Sequence, residues 1–324
     1  MNVSIFRRVA ALLLAVAAVG SGSPSRAQGY PTKPIHMIVP YAAGGSTDQL
    51  ARAIQNAMSE SLGQPVIIDN KPGAGGTIGV DFAVKSPADG YTLVFGNTGP
   101  NAVVGLMRKI PYDPLKDLQA VSTVAFTPMI LAIPADNPAR TVKEFLAEVR
   151  TSKTPVNFGS VGNGSLSHLT GQYFNDSARL NMQHIPYSGG APLMTAFMGG
   201  QIGAAFVTGL DGATMEASGR VRYLAVATQG ASDVVPGLPV IADDVPGFHS
   251  VAWFGVLAPK GVPKDVIAKI HESIVAAVAR PEVRKFFADR KIEAKSSTPE
   301  QMDKVIRDEM AQWGPVVRKS NIQM

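Results

Sequence analysis

Four times this chain passes from a short apolar run through a glycine-bearing turn into a helical pattern, at residues 41–48, 72–77, 159–165 and 187–191. In the first instance Ile35 to Val39 reads as a buried strand, and Leu50, Ile54, Ala57, Met58 and Leu62 form the stripe of an amphipathic helix. Strand, turn and helix repeated in that order predict a doubly wound, mainly parallel α/β sheet with its turns gathered at the carboxyl ends of the strands. Glycines at such joints let a ligand approach the main chain without a β-carbon in the way. The helix start beyond them offers unpaired N–H groups to an anion. Ser46 or Thr47 is read as the cap of the first helix. Asp48 has two readings, stabiliser of the helix N-terminus or acceptor for a ligand amine, hydroxyl or water.

Met1 to Ala27 has the form of an export signal. Arg7 and Arg8 precede the apolar run Val9 to Val19, and Ser25-Arg26-Ala27 is a small-x-small site that places cleavage after Ala27. That run is shorter than the roughly 20 residues of a membrane span. The chain has no cysteine, which excludes disulfides, thiolate metal sites, a cysteine nucleophile and an N-terminal lipoprotein anchor. Its formal charge of +5 falls to +2 once Arg7, Arg8 and Arg26 are removed. The remaining charges form no basic stripe, so nucleic acid is not an expected partner.

The 297 residues after the signal suit two domains. Further strands are expected at Val66 to Asp69 and Tyr91 to Phe95, and a weak helix around Ala213 to Ala217. The stretch from Val121 through Pro128 to Pro134 reads as one extended segment, broken at the proline, that can cross between domains. Beyond it Thr141-x-x-Glu144 is a capping box. Three helical patterns end the chain, and they complete the first domain more plausibly than they build a third. The expected lobes are therefore 28–125 with 228–324, and an inserted 126–227, with a ligand cleft between them.

Enzyme motifs fail on this sequence. Gly73-x-Gly75 lacks the third glycine of a dinucleotide fingerprint, and no phosphate-binding loop occurs. Phe158 stands where a nucleophile elbow around Ser160 needs glycine. Ser165 and His168 share a helix face as a hydrolase pair would, although a packing or capping role for His168 is the preferred reading of that spacing. His36, His184, His249 and His271 show no metal-ligand spacing. Tyr41 and Tyr187 can pack under a ligand or seal a lobe. Ser46, Thr47, Thr77, Ser160, Asn163 and Ser165 are the polar side chains that the turns offer.

Taken together, Pro40-Tyr41-x-x-Gly44-Gly45-x-x-Asp48, Asn70-Lys71-Pro72-Gly73-Ala74-Gly75-Gly76, Pro87-Ala88-Asp89-Gly90-Tyr91, Gly162-x-Gly164-Ser165-x-Ser167-His168 and Pro186-Tyr187-x-Gly189-Gly190 resemble the solute receptors of tripartite tricarboxylate transporters, the Bug-type periplasmic binding proteins. The resemblance runs in order along nearly the whole chain. It implies a two-lobed type II periplasmic-binding fold in the periplasm, without catalysis, cofactor or metal. It also implies a monomer that captures a small organic carboxylate through backbone amides and ordered water and hands it to membrane permease subunits. On this chain the ligand-holding roles fall to Tyr41, Ala43, Gly44, Gly45 and Asp48, and to Ser160, Gly162, Asn163, Gly164, Ser165 and His168, with Tyr187, Ser188 and Gly189 nearby. Thr77, Asn97, Thr98 and Thr208 join them. The pattern breaks at Phe206-Val207-Thr208-Gly209-Leu210-Asp211, where members more often carry Phe-Asp or Phe-x-Asn, and this end of the pocket is where ligands should be told apart. The alternatives are a secreted Ser/His hydrolase and a receptor used for sensing rather than uptake.

Overall fold

The first strand is nearly all apolar because four of its five residues are buried between layers. Ile35, Met37, Ile38 and Val39 are fully buried in β1 (Ile35–Val39), which pairs in parallel with β2 (Val66–Asn70) and β3 (Thr92–Asn97). The computed structural model describes residues 29–212 and 218–319. The segments 1–32 and 33–324 separate as two units. Of the first, residues 29–32 are described and hold no helix or strand, and everything below concerns the second. The expected export signal and the weak helix at 213–217 lie outside the described residues.

Two sheets organise the unit. The first has the order β11-β4-β10-β3-β1-β2, with β4 at Leu118–Pro128, β10 at Val251–Pro259 and β11 at Glu293–Ala294. The second has the order β7-β6-β8-β5-β9, built from β5 (Ile130–Pro134), β6 (Asn157–Ser160), β7 (Gln183–Pro186), β8 (Ala204–Val207) and β9 (Val221–Val226). Both sheets are mixed, which corrects the expectation of mainly parallel ones. The βαβ portions are parallel, whereas β10 runs antiparallel to β3 and β4, and β5 runs antiparallel to β8 and β9. The cause is the crossover. β4 and β5 are joined through Met129 alone and deliver the chain from one sheet to the other, and β10 brings it back.

The two crossing segments are tied together. Met129 donates its N–H to the Ser250 carbonyl, Ala227 donates to Met129, and Ser250 donates to Ala227, at 2.7–3.1 Å. The Thr170 and Ser250 hydroxyls, 2.6 Å apart, fasten this ladder to a helix of the second sheet. This laced pair of crossings is called the hinge below, after the kind of short extended segment that can absorb rotation at a few backbone angles.

Helices follow the strands as their apolar spacing dictates. Helix α1 (Ser46–Leu62) buries Leu50, Ile54, Ala57, Met58 and Leu62. It is followed by α2 (Thr77–Val84), by a wider turn at Gly99–Val103, and by α3 (Val104–Met107). On the second sheet lie α4 (Val142–Thr151), α5 (Leu166–Ser177) and α6 (Gly190–Met198). Half of the expected box at the start of α4 forms: Glu144 N donates to Thr141 Oγ1 at 3.1 Å, while the Glu144 carboxylate reaches past the cap and accepts from Arg140 N at 2.6 Å. The last helices, α7 (Lys264–Ala279), α8 (Pro281–Ala288) and α9 (Pro299–Lys319), belong to the first sheet's layers. There α7 packs on α1 and α9 on β4.

Candidate functional site

Each glycine turn is held in place by its own side chains before it meets anything else. Asp48 is buried, and its carboxylate accepts hydrogen bonds from Gly44 N at 2.9 Å, Arg52 Nε at 3.0 Å and Asn70 Nδ2 at 3.0 Å. Burial alone would raise its pKa, but these donors and the Arg52 charge hold the carboxyl below the usual range. Asp48 therefore braces the first turn and lines neither cavity described below. Asn70 also reaches the Tyr41 carbonyl at 3.0 Å, which couples the first turn to the second strand.

The cap of α1 is Gly45, with no side-chain cap bond, and this corrects the assignment to Ser46 or Thr47. Ser46 turns instead to the other sheet. Its N–H donates to Asp211 Oδ1 at 3.1 Å and its hydroxyl to Asp211 Oδ2 at 2.7 Å, while Thr208 Oγ1 donates to Oδ2 at 2.9 Å. Asp211 is 5% exposed, and burial pushes its carboxyl up despite those three donors. The amide at the start of α1, expected to serve a ligand, is thus taken by a carboxylate of the chain.

On the second sheet Ser165 caps α5, accepting from the backbone of His168 at 3.3 Å and donating its hydroxyl to Gly162 O at 2.7 Å. The His168 ring faces elsewhere. Its Nδ1 accepts from Gly164 N at 3.2 Å, so that nitrogen carries no proton. The ring stacks on His184 with centroids 3.8 Å apart and an 11° tilt. His184 Nε2 in turn lies 2.6 Å from Ser160 Oγ, a pairing that no spacing in the chain announces. Burial lowers His168 to about 4, and burial with the adjacent ring lowers His184 to about 3. Both rings are neutral props for the turn. The Ser165–His168 hydroxyl-to-ring contact that a hydrolase needs does not form, and Ser160, though paired, is fully buried away from both cavities.

The turns of the two sheets face one another. A β-carbon on Gly45 would stand 3.4 Å from Gly190 N, one on Gly99 would stand 3.2 Å from Gly164 O, and one on Gly189 would stand 3.5 Å from the Ala42 β-carbon. At Gly75, whose φ of 64° already favours glycine, it would lie 2.3 Å from Asn163 O. Absence of side chains at these points is what allows the main chains of the two sheets to approach so closely.

Between the closed turns lie two cavities that share Tyr41 and Val161. The hinge-side cavity, about 550 Å³ counting its mouth, is lined by Tyr41, Gly45, Ser46, Thr47, Asn97, Thr98, Ser165, Ser167, Gly190, Thr208 and Asp211. Its apolar wall is Met129, Val161, Leu166, Phe206, Ala252 and Phe254. Tyr41 donates to Asn97 Oδ1 at 3.3 Å, and burial pushes its phenol well up. The outer cavity is lined by Tyr41, Pro72 to Gly76, Arg108, Val161, Gly162, Asn163 and Pro186 to Ser188.

Of the residues expected at the site, Tyr41, Gly45, Asn97, Thr98, Ser165 and Thr208 meet at the first cavity, and Gly162, Asn163, Tyr187 and Ser188 at the second. Ala43, Gly44, Asp48, Thr77, Ser160, Gly164, His168 and Gly189 line neither. Thr77, for example, spends its hydroxyl on Ala74 O at 2.9 Å within its own turn. Met129, Ala252, Phe254 and Arg108 carry no local sequence signal, because the crossing segment and the returning strand bring residues in from far along the chain. Phe206 and Asp211 lie in the segment whose departure from pattern marked one end of the pocket, although neither was named as a ligand-holding residue.

Among the described residues there is no group of acidic, histidine or cysteine side chains placed to hold a metal ion, and no helix long and apolar enough to cross a membrane. A family model described as tripartite tricarboxylate transporter family receptor matches residues 50–322. Protein BugT of Bordetella pertussis is 35% identical, the match covering 98% of each chain. The solved periplasmic binding protein BugD is 30% identical with a TM-score of 0.85, over 91% of this chain and 99% of that one. Rpa4515 of R. palustris, solved with adipate, is 29% identical with a TM-score of 0.86, over 91% and 99%. With the two-sheet periplasmic-binding fold and the matched residues in agreement, the chain belongs to the tripartite tricarboxylate transporter receptor family.

Proposed function

We propose that this protein is an exported receptor that closes its two lobes on a small organic carboxylate and passes it to a membrane permease, with no bond made or broken. The observation that carries the reading is the convergence of glycine turns from both sheets around one hinged cleft, with main chain against main chain at Gly45–Gly190 and Gly75–Asn163. A ligand seated there touches both lobes at once, and only such a ligand shifts the balance toward the closed state. The lobes we assign are the two sheets with their helices, moving about the Met129–Ala227–Ser250 ladder. Adipate in a relative of the same fold supports the ligand class, and the signal-like start of the chain supports export.

A thermal-shift screen of the chain beginning at Gln28 over small carboxylic acids tests this. At about one hundred times its dissociation constant a true ligand adds about 2.7 kcal/mol, which moves the melting point of a chain this size by roughly 4 °C. A screen in which no acid raises it would overturn the reading.

A further inference from the structure

Resting on that reading, we propose that Asp211 sets the ligand class: a carboxylate whose other end carries an N–H or O–H donor, an ammonium above all, in place of a second carboxylate.

Asp211 stands in the wall of the hinge-side cavity, between the N-termini of two helices that meet there. Ser46 N belongs to the first turn of α1, and a β-carbon on Gly190, the first residue of α6, would come within 2.4 Å of Asp211 Oδ1. An anion is well placed at such a point, and the chain supplies its own. A carboxylate offers about four acceptor positions. Ser46 N, Ser46 Oγ and Thr208 Oγ1 fill three, so a remaining acceptor borders the cavity.

Of the donors around it, Tyr41 gives its hydrogen to Asn97, the Asn97 amide gives one to Thr47 at 3.2 Å, and Ser165 gives its own to Gly162, which leaves the Thr47 and Thr98 hydroxyls. A second carboxylate entering this end would face the oxygens of the Asp211 carboxyl. An ammonium or amide N–H would meet an acceptor.

The outer cavity has the opposite character. Arg108 lines it, pairs with no carboxylate among the described residues, and holds its position by donating Nη2 to Ala74 O at 2.9 Å and to Thr77 Oγ1 at 3.2 Å. Its buried Nε has no partner. The cleft thus offers a guanidinium at its outer end and carboxyl oxygens toward the hinge. A ligand with one carboxylate and one donor end fits it in a single orientation.

The test is calorimetric titration of the native chain with length-matched pairs: succinate against 4-aminobutanoate, glutarate against 5-aminopentanoate, adipate against 6-aminohexanoate. The expected result is that the amino member of the best-fitting length binds at least tenfold more tightly than its dicarboxylate. Asp211→Asn, checked for folding by circular dichroism, should shrink that ratio at least tenfold. Dicarboxylates binding the native chain as tightly as their amino partners would overturn the proposal, even if the variant does not fold. An unchanged ratio in a folded variant would also overturn it, as would binding of other acids while neither series binds. Those results leave the receptor reading standing; that reading falls only if no acid of any kind binds.

Discussion

Replacing Gly75 with alanine separates the cost of backbone strain from the cost of closing the cleft. The added β-carbon would sit 2.3 Å from Asn163 O, roughly 1 Å inside ordinary contact, and both partners are main chain in tight turns. Relief requires the two turns to part. Overpacking of this kind costs about 1–3 kcal/mol, and it is felt only when the lobes are shut. Binding should weaken by the same amount, roughly 10- to 100-fold, since 1.4 kcal/mol is tenfold. The left-handed backbone costs a further 1–2 kcal/mol or so in any folded state. Gly63 supplies the control, having a φ of 69° with nothing within 4 Å of its added β-carbon. Urea melts of Gly75→Ala and Gly63→Ala should show similar losses of stability. Titration with the acid giving the largest thermal shift should show weakened binding for Gly75→Ala alone. Equal affinities in the two variants would refute the reasoning that these turns must touch for ligand to be held.

Other consequences are simpler. Because burial depresses His168 to about 4 and His184 to about 3, from the usual 6.5, each contributes stability that is complete above pH 6.5 and is lost as pH falls toward its folded value. Each ring should account for about 2 kcal/mol of loss between pH 7.5 and pH 5. Glu309, raised to about 7 by burial, acts in the opposite sense over that range and cancels in a comparison of variants. The pH 7.5-to-5 loss, measured by urea melts, should be smaller by about 2 kcal/mol in His168→Asn, which keeps an acceptor for Gly164 N. An unchanged loss would show that the ring does not titrate as described. Asp48→Ala strands the Gly44 and Asn70 donors and should cost roughly 2–4 kcal/mol; a loss below about half a unit of that scale would place Asp48 outside the turn's support. Thr141→Ala removes a cap worth about 1 kcal/mol, and an unchanged melt would contradict the capping geometry.

The rhythm of strand, glycine turn and helix was legible because it is local. The apolar stripe from Leu50 to Leu62 and the Thr141 cap on Glu144 N depend on residues three or four apart, and both appear as the spacing requires. Strand direction beyond the βαβ units was not legible. Nothing within Val251 to Pro259 says that this strand inserts between β3 and β4 and reverses the pairing. Side-chain direction failed for the same reason. Asp48 stands where it can offer an acceptor to a ligand amine, hydroxyl or water, yet Arg52 and Asn70 draw it inward. Ser46 occupies a capping position, yet it answers a carboxylate 165 residues away. The histidine stack behind the third turn joins two elements, α5 and β7, whose spacing in sequence carries no period.

The account rests on a small acid lying between the glycine turns of the two sheets. Its most direct test is a crystal structure grown with the acid that raises the melting point most. The prediction is a carboxylate within hydrogen-bond distance of main-chain or hydroxyl donors from both sides, Tyr41 to Thr47 and Gly162 to Ser167. Finding the acid bound on an outer surface, or touching a single sheet with the turns apart, would contradict it.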